Sequence, residues 1–115
     1  MNQPTPDVSF EDVERVVARD FPAEEQEEIH ALIRQVDVRE KARVILACLK
    51  NSGGDIARVR NDLGNASGYW REIISSAEYP NYEKEVFRID KLSEVEKQRL
   101  YEKDWSQYQE WLHSG

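Results

Sequence analysis

"ILACLKNSGGDIARVRNDLGNASGYWREII", residues 45 to 74, decides the fold. Its opening belongs to a helix, "VREKARVILACLKN", in which Val44 and Ala47 stand well away from the stripe made by Val38, Ala42, Ile45 and Leu49. A helix that is apolar nearly all round sits centrally and is packed on several sides. Gly53 and Gly54 end it, and Asp55 opens a short helix with Ile56, Val59 and Leu63 inward. The "LGNASG" segment then reads as a turn at Leu63-Gly64, leading to a further helix that carries Trp70, Ile73, Ile74 and Ala77.

Helix punctuation recurs on either side of this stretch. Ser9 with Asp12 forms a capping box, and Val8 and Val13 take the staple positions of a first helix with Val13, Val16 and Val17 inward. Pro22 suits the first turn of a second helix whose stripe is Ile29, Leu32, Ile33 and Val36. Asp37 with Glu40 reads as the capping box of the central helix, and "EYPNY" breaks the helix before it. Tyr82, Val86 and Ile89 have the spacing of a short helical segment, and Ser93 with Glu96 opens a long last helix. No segment reads as a strand. The expected architecture is all-α: a compact orthogonal bundle of five to seven helices, with residues 1–8 as a flexible tail and 9–115 as a single helical domain.

A chain of 115 residues has enough surface to bury for one core without disulfides or metal. The longest apolar run, Val44 to Leu49, is far too short to span a bilayer, so no membrane partner is expected. "MNQPTPDVSFED" has neither the basic start nor the apolar centre of a signal peptide. With one cysteine, Cys48, the expected compartment is the cytoplasm. The net charge of −7 is uneven: residues 1–38 carry an excess of acids, 39–72 a modest excess of bases, and 73–115 an excess of acids again. Such a field does little to attract a polyanion, so nucleic acid is disfavoured as a partner.

Two resemblances bear on function. Ile45 to Ile74 resembles the Fis-type DNA-binding helix-turn-helix, with Gly54-Asp55 at the start, Leu63-Gly64 at the turn, and Val59, Trp70 and Ile73 as inter-helix contacts. That resemblance implies a nucleic-acid-binding protein, for which Arg58, Arg60 and Arg71 are the candidate contacts. The chain departs from the pattern at Arg60, where a small residue is wanted, and at Asn65, where an apolar one is. Residues 67–76 offer one base, Arg71, against one acid, Glu72. "LKNSGGD" and "SAEYPNY" also resemble small bacterial helical proteins of unassigned function, which share an L-K-x-x-x-G-D turn and an A-E-Y-P helix exit. This second likeness, from about Ala42 to Tyr82, implies an all-helical fold and a bacterial source, and carries no activity.

Chemistry finds little footing. Glu27-x-x-His30 and Glu110-x-x-His113 have the spacing of di-iron bundle ligands, but at 100° per residue each Glu falls roughly opposite its helix's apolar stripe. No metal or other cofactor is expected. Cys48 lies inside "VILACLK", where a thiol behaves as a small hydrophobe, and no Gly-rich loop has phosphate-cradling spacing. The chain is expected not to be an enzyme.

What remains is the aromatic stripe of the last helix: Tyr101, Trp105, Tyr108 and Leu112, with Trp111 at its edge. Tyr101, Tyr108, Trp111 and Leu112 are the candidate partner-binding residues, since Trp and Tyr dominate interface hot spots. A terminal helix packing by its first turns would bury Trp105 and leave Trp111 and the end of the stripe free. The favoured function is a non-catalytic protein-protein interaction module, its partner another protein or a second copy of the chain; the alternative is the helix-turn-helix nucleic-acid binder.

Overall fold

Ser9, Asp55 and Ser93 each start a helix. The Ser9 N–H donates to Asp12 Oδ2 at 3.0 Å, Asp55 Oδ1 accepts from the Ala57 N–H at 2.9 Å, and Ser93 Oγ accepts from the Glu96 N–H at 3.1 Å. The computed structural model describes residues 4–115, and among them the chain is an all-α bundle of seven helical segments with no strand. In order they are α1 (Phe10–Asp20), α2 (Ala23–Gln35), α3 (Lys41–Ser52), α4 (Ile56–Glu78), α5 (Pro80–Lys84), a 3-10 segment (Val86–Lys91) and α6 (Glu94–His113).

α3 is the centre: every residue from Val44 to Leu49 is 1% exposed or less. It packs chiefly on α4 and also on α1. Ile45, Leu46, Leu49, Val59, Leu63 and Ile73 are buried, as the periodicity predicts. Gly53 and Gly54 end α3 at φ of 60° and 86°, values that glycine adopts without steric cost. Among the described residues no helix is long and apolar enough to cross a membrane. Of the expected tail, residues 1–3 lie outside the described residues, while Pro6 is buried and the Pro4 carbonyl accepts a hydrogen bond from the Tyr79 hydroxyl at 3.0 Å.

Five expectations about these helices are corrected. There is no turn at Leu63-Gly64: α4 runs through both glycines, and its single non-helical residue is Tyr69, at φ −121° and ψ 20°. Each mid-helix glycine costs up to about 1 kcal/mol against alanine. Val59, Leu63 and Ala66, all buried, continue the helix past that cost. Trp70, expected in the core, is 38% exposed, because the bend at Tyr69 resets the helical phase and brings Ile73, Ile74 and Ala77 inward instead.

α3 begins at Lys41, and Glu40 is its N-cap in the left-handed region, φ 49°, so Asp37 and Glu40 do not form the expected capping box. The last helix, too, is rotated from the expected stripe. Asp104, Tyr108 and Leu112 are its buried line, at 0%, 1% and 2% exposure, and Trp105 stands at the rim with 38%. Asp104 turns inward because its carboxylate holds the start of α5. Oδ1 accepts from the Asn81 N–H and Nδ2, both at 2.8 Å, and Oδ2 accepts from the Tyr82 N–H at 3.0 Å.

The end of α6 is held rather than free. Arg15 Nη1 donates to the Leu112 carbonyl at 2.6 Å, and Arg19 Nη1 donates to those of Trp111 at 2.8 Å and Ser114 at 2.9 Å. Asp20 orients Arg19 through two further contacts at 2.7 and 2.9 Å. Carbonyls at a helix C-terminus have no partners within the helix, and cations there also meet the negative end of its dipole.

Candidate functional site

The bend in α4 and the left-handed residue before α3 face the same space. Between them lies a cleft of about 600 Å³ lined by Asp37, Val38, Arg39, Glu40, Ser67, Trp70 and Arg71. A smaller hollow of about 140 Å³ shares Asp37 and Ser67 with it and runs on between Leu32, Val36 and Leu63. Ser67 and the neighbouring glycines, Gly64 and Gly68, keep that side of α4 low, and a Cβ built on either glycine would meet no atom within 4 Å. The space follows from small residues on a helix that burial elsewhere holds in place.

Trp70 forms one wall, and the Arg71 guanidinium lies over its ring, 5.1 Å from the centroid. Stacking of this kind fixes the guanidinium plane while leaving its N–H fork free to bind a carboxylate. Among the described residues neither Arg39 nor Arg71 has a carboxylate within salt-bridge distance. Glu40, on the facing wall, accepts from Arg43 Nη1 at 3.2 Å. Arg43 is itself anchored on buried Glu78, and that anchorage supports a backbone conformation costing about 1–3 kcal/mol in a non-glycine residue. Among the described residues Asp37, unlike Glu40, has no cation within salt-bridge distance.

The arrangement offers an aromatic plate, two available guanidiniums and one carboxylate. Groups of these types have the chemistry to stack on and pair with a ligand, and none of them is a nucleophile or a general base with a partner. Neither histidine lines the cleft, and Cys48 lies in the core, where burial pushes its thiol up to about 12. His30 Nε2 is 2.8 Å from Glu14 Oε2, and His113 Nε2 is 3.2 Å from Gln109 Oε1. Among the described residues no group of three metal-ligating side chains comes together.

The residues singled out by sequence scatter. Tyr108 and Leu112, read as partner-binding, are core residues, because the arginine clamp on the end of α6 draws them inward. Trp111 is half-buried beneath Arg19, 5.3 Å from its ring centroid. Tyr101 stacks on Tyr82 with centroids 5.5 Å apart and, with Trp105, lines a shallow hollow of about 250 Å³. Of the three arginines read as nucleic-acid contacts, Arg58 is exposed, Arg60 forms a two-pronged pair with Glu28 of α2, and only Arg71 reaches the cleft.

Asp37, Arg39, Glu40 and Trp70 are the site residues that sequence reading misses. The available signal is the adjacency of Gly68, Tyr69 and Trp70 in mid-helix, where two large aromatic residues in succession cannot both face one core. The chain matches no protein-family model, no curated protein and no solved structure with which it was compared.

Proposed function

We propose that this chain is a non-catalytic protein-interaction module whose partner inserts an acidic segment into the cleft at the α4 bend. One observation carries the reading: Trp70, large, aromatic and 38% exposed, lines the cleft of about 600 Å³ with the fork of Arg71 laid across it. Trp and Arg are, with Tyr, the residue types enriched in interface hot spots. The two available guanidiniums favour a carboxylate beside an apolar or aromatic side chain. The reading keeps the protein in a reducing cytoplasm, where one thiol stays reduced, and keeps the bacterial source that the A-E-Y-P resemblance implies.

A peptide array of Asp- and Glu-containing segments tests it. Spots retained by the wild-type chain should be lost with Trp70→Ala or Arg71→Ala, at unchanged melting temperature. The nucleic-acid alternative is weakened by the engagement of Arg60 with Glu28. A blank array, together with a low-salt mobility shift that substitution of Arg58, Arg60 and Arg71 abolishes, would replace the protein partner with DNA.

A further inference from the structure

Beyond α4 the chain builds an arm from α5, the 3-10 segment and the first turns of α6. Phe87 is 100% exposed on it, and Val86 and Val95 are 47% and 61% exposed. Beside them is a notch of about 190 Å³ with Leu92 and Leu100 in its wall and Glu85, Arg88, Glu96 and Arg99 about it. Two acids and two bases leave that surround neutral, and Glu85 with Arg88 already forms an ion pair. A notch with balanced charges and leucine walls accepts an apolar group, and the most exposed apolar side chain of the arm is Phe87. Five acids and five bases balance between Pro80 and Leu100, in a chain whose net charge is −7. Two copies meeting elsewhere on their acidic surfaces repel; two meeting arm to arm do not.

We propose that this arm is a self-association surface, on which Phe87 of each copy seats in the Leu92/Leu100 notch of the other. Knob and notch lie on one arm, so a two-fold axis fills both seats at once. A foreign partner would have to supply both a matching knob and a matching notch. The charge balance and this self-complementarity commit the surface to a second copy. The proposal is independent of the cleft.

Sedimentation of the full chain over a concentration series tests it. The wild type should pass from monomer to dimer as concentration rises. Phe87→Ala should raise the dimer dissociation constant by about thirtyfold or more, the effect of losing a hot spot, with no change in melting temperature because the ring touches nothing in the monomer. Leu92→Trp, which fills the notch, should do the same. Mixed together, the two variants should recover part of the association, since one retains the notch and the other the knob. A wild-type chain that stays monomeric at millimolar concentration, or a dimer that survives Phe87→Ala, would overturn the proposal. So would a mixture no more associated than either variant alone.

Discussion

Arg43 and Glu78, 35 residues apart in sequence, meet through two parallel hydrogen bonds: Nε donates to Oε2 at 2.8 Å and Nη2 to Oε1 at 2.7 Å. Glu78 is 2% exposed, and its carboxylate raises the Arg43 guanidinium above its ordinary range. The pair joins the first turn of α3 to the last turn of α4 and, through Glu40, steadies a wall of the cleft. Truncating one partner strands the other charge in the interior. Glu78→Ala should therefore cost about 3–5 kcal/mol in urea unfolding, whereas the paired replacement Arg43→Met with Glu78→Leu should cost much less. Equal losses in the two variants would show that geometry, and not the stranded charge, sets the cost.

Among the described residues the buried Tyr108 hydroxyl has no hydrogen-bond partner, and burial raises its pKa above the usual tyrosine value. An unsatisfied buried hydroxyl lowers stability. Tyr108→Phe should then raise the unfolding free energy by about 1 kcal/mol, measured by denaturant titration. A loss of similar size would reveal a bound water holding the oxygen.

Leu112 and Trp105 reverse the order expected from a frayed terminal helix. Leu112→Ala opens a cavity at a residue 2% exposed and should cost about 2–5 kcal/mol. Trp105→Ala removes a rim side chain and should cost about 1 kcal/mol or less. Thermal melts of the two variants compare them directly.

Cys48 links stability to alkaline pH. Folded, its thiol holds its proton up to about 12, while an exposed thiol loses it near 8.5. Between those values the unfolded chain binds fewer protons than the folded one. Stability from this group is thus complete below about pH 8.5 and is lost as pH rises towards 12, at up to about 1.4 kcal/mol per unit. In Cys48→Ala that part of the alkaline decline should vanish. In the wild type, iodoacetamide at pH 8.5 should label the thiol only after urea is added.

Capping is legible in sequence because it is local: Ser9 with Asp12, and Ser93 with Glu96, lie within one turn of each other. The core of α3 is legible because a helix that is apolar all round has no solvent face to present. The bend at Tyr69 is hidden, since whether Gly64 makes a turn or continues a helix depends on the packing of Ala66, which composition does not reveal. Asp104 reads as a solvated carboxylate because its partners, Asn81 and Tyr82, lie 23 and 22 residues away. The cleft stays out of view for the same reason, since it needs the strained Glu40 and the displaced Trp70 together.

The grip of Arg15 and Arg19 on the carbonyls of α6 also sets an order in time. It joins groups 92 to 97 residues apart, whereas α3 and α4 are neighbours along the chain. Contacts that close so long a loop form late, after the shorter-range helix pairs have met. α1 therefore waits, its two guanidiniums not yet on those carbonyls, for a turn synthesised long after it. Arg19→Ala should accordingly leave the refolding arm of a chevron nearly unchanged and steepen the rate of escape from the native state, because its contacts are absent from the transition state.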